Sequence, residues 1–210
     1  LEAFLSQSKP ALAKGPLAIV FAEDEIELDT TLRHHLNAGF AEVVLLSPDI
    51  FDLPAEVEEK IHRIRYDVHA EQALLSAVNR LIEAAPGIWM YYCYNAEYLF
   101  FPFCETSNIR EMISFQIEER REAFLSYVVD LYADDLSEAP NAVSLERACL
   151  DKSGYYALAR PDPANHNHPK ERQLDFFGGL RWRFEEHIPP AKRKIDRIAL
   201  FRAKPGLKLR

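Results

Sequence analysis

Apolar residues fall along this chain in short unbroken runs of strand length, separated by stretches with helical spacing. LAIVFA (17–22) is the first run and AEVVLLSP (41–48) the second. Between them Leu28, Leu32, His35 and Leu36 recur at helical intervals, and Gly39 closes the helix. The alternation then repeats. IHRIRYDV (61–68) predicts a third strand, and Leu74, Ala77, Val78, Leu81 and Ile82 mark a helix halted by Pro86-Gly87. IWMYYCYNAEYLFF (88–101) is the most apolar run and predicts a fourth strand. From Thr106 a helix follows with Ile109, Met112, Ile113 and Ile117 inward, and AFLSYVVDLY (123–132) returns as a further strand.

Runs that are continuous rather than alternating imply strands covered on both faces. Strand, helix, strand at these intervals implies right-handed crossovers. The expected fold class is therefore α/β, with a doubly wound, mostly parallel, Rossmann-related sheet. Residues 1–16 read as an N-terminal extension and 17–160 as the α/β domain. Residues 161–210 read as a polar loop, PDPANHNHPKE, followed by a β-rich, basic C-terminal appendage. A start without Met suggests an excised or processed chain, and the strand-like, basic close IALFRAKPGLKLR predicts that it continues.

Composition narrows the class. The 210 residues are 48% hydrophobic and 28% charged, as in ordinary globular proteins. No run of about 18 apolar residues is present, and the first residues lack the basic-then-apolar layout of a secretory signal. Cys93, Cys104 and Cys149 have no metal-ligand spacing and read as reduced thiols, so a cytoplasmic protein is expected. Charge is unevenly placed. Residues 1–168 carry 13 Lys/Arg against 28 Asp/Glu, whereas 169–210 carry 12 against 5. The basic segment suits phosphates, an anionic membrane face or the protein's own acidic body. Nucleic acid is disfavoured, because the acidic body repels a long polyanion.

Ligands of open parallel sheets bind beyond the carboxyl ends of the strands. Glu23, Asp49, Asn95, Glu97, Asp130 and Asp135 all fall toward or just past the carboxyl ends of predicted strands. Carboxylates there suit a phosphate that arrives with a divalent metal. Asn95 and Glu97 are two apart, so on a straight strand they share a face and can share a hard cation. The competing explanation is that Glu97 pairs with an arginine. Asp130 or Asp135 is a candidate general base, or else part of a solvated loop. His35 lies on an apolar helix face, as a core histidine does, and His166 and His168 have no third ligand nearby. Arg172, Arg181 and Arg183 either reach a diphosphate or neutralise the acidic body.

Several segments together resemble the family 2 glycosyltransferase-like proteins of bacteria, which have the GT-A fold. FAEDEIELDTTLRHHLNAGF is similar to that family's opening segment, and AEVVLLSPD stands at its second strand. WMYYCYNAEYLFFP resembles the strand that carries the family's metal-binding Asp-x-Asp signature, with Asn95 where the first Asp would be. DKSGYYALARPD and RQLDFFGGLRWRF resemble segments on the acceptor side. The resemblance implies transfer of a sugar from a nucleotide-diphosphate donor to a saccharide or lipid-linked acceptor, in polysaccharide or glycoconjugate synthesis. It implies Mn²⁺ or Mg²⁺ held at Asn95 and Glu97, a nucleotide pocket lined by Glu23 and Asp49, and Asp130 or Asp135 as base. The second expectation, of a different class, is a catalytically silent module that binds a glycan or a protein. Residues 169–210 are further expected to touch a membrane surface peripherally.

Overall fold

The computed structural model describes residues 1–7, 12–49 and 51–210. It is an α/β protein built on a mixed, mostly parallel six-stranded sheet of Rossmann-like kind. After helix α1 (Glu2–Gln7), the chain runs through β1 (Leu17–Phe21), α2 (Leu28–Asn37), β2 (Glu42–Ser47), α3 (Ala55–Glu58) and β3 (His62–Arg65). Helix α4 (Ala73–Ala84), β4 (Trp89–Tyr94), α5 (Ile109–Glu118) and β5 (Ala123–Tyr127) follow. Short strands β6 (Leu131–Ala133) and β7 (Ala148–Leu150) come next, then β8 (Tyr156–Asp162), β9 (His168–Phe177), α6 (Leu180–Arg183) and β10 (Asp196–Arg202).

The strand order is β3-β2-β1-β4-β10-β5. β1 pairs in parallel with both β2 and β4, and β2 with β3, whereas β10 runs antiparallel to β4. The run-based expectation holds where it was strongest: every residue of β1 is buried, as are five of the six in β2 and five of the six in β4. Branched and aliphatic side chains fit such two-sided burial, which leaves no face for polar residues. On α2 the buried residues are Leu28, Thr31, Leu32 and His35, the spacing of one helical face. Gly39 then takes a φ of +93°, a left-handed geometry open to glycine at low cost, and ends the helix. Asn108 caps α5 through the backbone N–H groups of Arg110 and Glu111, while the Glu111 carboxylate accepts from the Asn108 N–H.

Three expected strands are markedly shorter than the segments that predicted them, the third covering only His62–Arg65 of 61–68. The fourth stops at Tyr94 instead of reaching residue 101, because Asn95 and Ala96 form a turn and Ala96 adopts a φ of +57°. Beyond it Leu99 and Phe101 are half-buried against the core while Phe100 and Phe103 are exposed, so hydrophobicity there does not by itself report a core position. The fifth ends at Tyr127 and alternates exposed and half-buried positions, as suits a strand at the edge of the sheet. The straight-strand argument that aligned Asn95 with Glu97 therefore fails.

The chain divides into two compact units, residues 1–124 with 199–210, and residues 125–198. The expected boundary between 160 and 161 lies inside β8, within the second unit. The first unit carries nearly all of the buried core. The second contains the β6–β7 and β8–β9 antiparallel pairs, and among its described residues Ala133, Ile195 and Asp151 are buried. Among the described residues no helix is long and apolar enough to cross a membrane.

Ile19 sits fully buried in the central strand of the parallel ladder. Ile19→Ala is expected to lower unfolding free energy by about 2–5 kcal/mol through lost transfer energy and the cavity left behind. Urea denaturation followed by far-UV circular dichroism measures it, and a loss below about 1 kcal/mol contradicts this placement.

Candidate functional site

Strand order reverses between β1 and β4: the chain builds outward from β1 through β2 and β3, then places β4 on the other flank of β1. A sheet opens a crevice at such a switch point, past the carboxyl ends of the two strands. Phe21 and Tyr94 are the paired last residues of β1 and β4. The segments that follow, Ala22-Glu23-Asp24 and Asn95-Ala96-Glu97, meet there.

Asn95 ties them together. Its backbone N–H donates to the Phe21 carbonyl at 3.0 Å. Its side-chain Oδ1 accepts from the Glu23 N–H at 3.1 Å. Nδ2 donates to Asp24 Oδ1 at 2.6 Å and to the Ile26 carbonyl at 3.1 Å. Asp24 Oδ1 also accepts from the Ile26 N–H at 2.9 Å, an Asx-type turn that shapes the loop after β1. A carboxamide offers donor and acceptor side by side, so one residue braces both segments. Aspartate at this position has no N–H with which to meet Asp24.

Helix α2 braces the same turn from one side. The Ala96 N–H donates to Thr31 Oγ1 at 2.9 Å, and that hydroxyl donates to the Glu27 carbonyl at 2.6 Å. Thr30 Oγ1 and the Tyr98 hydroxyl lie 2.8 Å apart, and His34 Nε2 is 2.8 Å from the Leu99 carbonyl. Positions 30, 31 and 34 share a helix face, so a single helix holds residues 96, 98 and 99. Glu97 turns back on its own strand, with Oε2 accepting from the Tyr94 N–H at 2.9 Å.

The sequence-derived candidates fall into groups. Glu23 and Asn95 are in direct hydrogen-bond contact, and Glu97 lies on the same turn. Asp49 is exposed just past β2, where its carbonyl accepts from Ser47 Oγ at 2.8 Å. Asp130 and Asp135 belong to the second unit. Asp130 takes a two-pronged bond from Arg181, at 2.6 Å from Nε and 3.0 Å from Nη2. Asp135 accepts from both the N–H and the hydroxyl of Ser137, at 2.8 and 2.6 Å, and these bonds lower its pKa. A carboxylate held below its ordinary pKa is a weaker proton acceptor near neutral pH.

The arginines divide likewise. Arg183 pairs with buried Asp151, whose carboxyl is held well below the usual range by that guanidinium and by Ser153. Arg172 is exposed and lies 3.5 Å from its neighbour Glu171. His166 and His168 are exposed in the β8–β9 hairpin. His35 is fully buried, 2.7 Å from the Thr31 carbonyl through Nδ1 and 3.8 Å from Cys93 Sγ through Nε2, with Tyr91 stacked on its ring. The core-histidine explanation is the one observed.

Sequence reasoning placed Asp24 at the first strand's end without giving it a role, and passed over Thr31. Asp24 is exposed, and its Oδ2 has no hydrogen-bond partner among the described residues; the D-x-I spacing of its turn was the available signal. Thr31 is fully buried yet polar, an oddity visible as a hydroxyl on the apolar face of α2. Among the described residues no group of three or more His, Cys, Asp or Glu is arranged to hold a metal ion. Fold and strand ends together define the class, an α/β protein whose β1 and β4 end in polar, acidic segments at the carboxyl edge of the sheet. No family model, curated protein or solved structure matches the chain.

Burial pushes the His35 imidazole from 6.5 down to about 4, against the opposing pull of the Thr31 carbonyl. The unfolded chain takes up this proton near pH 6.5 and the folded chain only near 4. Stability from this residue is thus complete above 6.5 and declines as pH falls toward 4, by about 3 kcal/mol in all. Urea midpoints for the wild type and His35→Gln between pH 4 and 7 measure it: the wild-type curve should fall more steeply over that window. Parallel curves contradict a neutral buried imidazole.

Proposed function

We propose that the protein transfers a sugar from a nucleotide-diphosphate donor, bound at the β1/β4 crevice, to a saccharide or lipid-linked acceptor. The observation that carries this reading is the braced corner, where the ends of β1 and β4 present Glu23, Asp24 and Glu97 at the topological switch point of a Rossmann-like sheet. The resemblance of WMYYCYNAEYLFFP to a GT-A metal strand supports the same assignment, and with it the GT-A fold. On this reading Asp49 lines the nucleotide side.

The donor set here is oxygen only, which suits a hard cation such as Mg²⁺ or Mn²⁺. Asp24 and Glu97 would hold it, with Asn95 Oδ1 beside them as a neutral oxygen already accepting from Glu23. When bound, the cation supplies charge stabilisation for the departing diphosphate. The chain's own residues do the rest. Asn95 fixes the spacing of the two acidic segments, and the Thr30, Thr31 and His34 bonds keep the 96–99 turn from relaxing. Preorganised groups of this kind need not reorient as charge develops.

A second reading, a non-catalytic binding module, is favoured by the state of the two candidate bases. Asp130 is clasped by Arg181, and Asp135 is tied into its own turn. On that reading the acidic corner still binds ligand, but no proton leaves an acceptor hydroxyl.

Glu97→Gln removes the charge and keeps an oxygen for the Tyr94 N–H. It is expected to cut Mn²⁺-dependent turnover of nucleotide sugars by at least about a hundredfold, with an unchanged melting temperature. Undiminished turnover sinks the metal assignment. A Mn²⁺-dependent thermal shift by nucleoside diphosphates, with no turnover of any donor, selects the binding module.

A further inference from the structure

The second unit contains a cavity of about 440 Å³ beside the Asp130–Arg181 pair. Its apolar lining is Leu180, Phe184, Ile188 and Ala191, supplied by α6 and by the loop that leads to β10. Its polar lining is Asp130, Arg181, Lys192 and Lys194. The size lies within the range of small-molecule sites, as does an apolar surface with few polar groups.

The charges are not equivalent. Arg181 is neutralised by Asp130, and its Nη1 donates to the carbonyls of Lys192 and Lys194 at 3.3 and 2.7 Å. This pair therefore works as a wall that anchors the loop. Lys194 Nζ lies 3.1 Å from Asp175. Lys192 has no ion-pair partner among the described residues, and Lys194 shares Asp175 with Arg160, so the rim carries an excess of positive charge. Lys192 sits at the end of a 3-10 turn over Pro190–Lys192 that follows Pro189. Arg193 Nε donates to the Ile188 carbonyl at 2.8 Å and closes the same loop. Two consecutive prolines and these carbonyl bonds hold the lip in shape before any ligand arrives, which lowers the ordering cost of binding.

We propose that this cavity is a binding site for a small amphipathic anion, an aromatic or short apolar body that carries one phosphate or carboxylate. A bare inorganic anion leaves the Leu180, Phe184 and Ile188 floor in contact with water. A neutral sugar buries hydroxyls against that floor without partners. An apolar body with an anionic head satisfies both parts, covering the floor while its head reaches Lys192. The proposal is independent of the transfer reaction, since it invokes no residue at the ends of β1 and β4.

The test uses 1-naphthyl phosphate, with 1-naphthol and inorganic phosphate as its two halves, titrated into ¹⁵N-labelled protein and followed by amide chemical shifts. The expected result is saturable shifts at Ile188, Ala191 and Lys192, with affinity for 1-naphthyl phosphate at least about tenfold above either half. Lys192→Glu is exposed and should weaken binding roughly fivefold to tenfold, in keeping with one surface charge reversed. Ala191→Trp, also at an exposed position, should block the cavity, with the remaining amides unmoved. Equal affinity for 1-naphthol and 1-naphthyl phosphate, shifts elsewhere than this loop, indifference to both variants, or absence of binding overturns the proposal.

Discussion

The carboxamide of Asn95 is the constraint on which the candidate site depends. It sits where β1 and β4 both run out of ladder partners, and it supplies bonds that the strands no longer make. One oxygen and one nitrogen hold the Glu23 N–H, the Asp24 carboxylate and the Ile26 carbonyl. Without that brace, the exposed Glu23-Asp24 segment would lose its side-chain bonds to the turn after β4. With it, the spacing of the two segments is set by the backbone of two buried strands. The brace also stops the fourth strand at Tyr94, since the same turn that aims the side chain breaks the extended backbone at Ala96.

The environment of that corner explains a curious mixture on α2. Thr31 and His35 are fully buried, yet both are polar. Thr31 passes a hydrogen bond from Ala96 to Glu27, and His35 sits under it against the Thr31 carbonyl and Cys93. Buried polar groups persist when their partners are supplied, and here those partners define the turn. The apolar stripe of the helix secures it to the sheet, while its few polar members fix the residues that follow β4.

In the second unit acidic residues answer to arginines. Asp130 and Asp151 take the guanidinium groups of Arg181 and Arg183, so the basic excess of the late sequence is partly neutralised within its own unit. Few of its side chains are buried, and ion pairs and turn bonds are prominent there in place of a broad apolar core. The cavity beside Arg181 follows from the same economy: a guanidinium occupied on three sides forms a wall instead of a ligand.

Much of the parallel sheet was legible in the chain, because LAIVF, EVVLLS and WMYYCY are continuous apolar runs and such runs are stable only between two layers. Helix α2 and its glycine stop were legible for a similar reason, since periodicity and left-handed geometry are local properties. Residues 95–101 were not, because Asn95-Ala96-Glu97 reads as strand until the ends of β1 and β4 are placed side by side. The fates of Asp130 and Asp135 differed for the same kind of reason: Ser137 lies two residues from Asp135 and its turn is local, whereas Arg181 lies 51 residues from Asp130. Taken alone, the amino-acid order determined the element types, the apolar faces and the acidic strand ends, all consequences of short-range pattern. Tertiary structure alone decided which carboxylates stand beside one another and which are clasped, because those outcomes depend on partners brought together from distant parts of the chain.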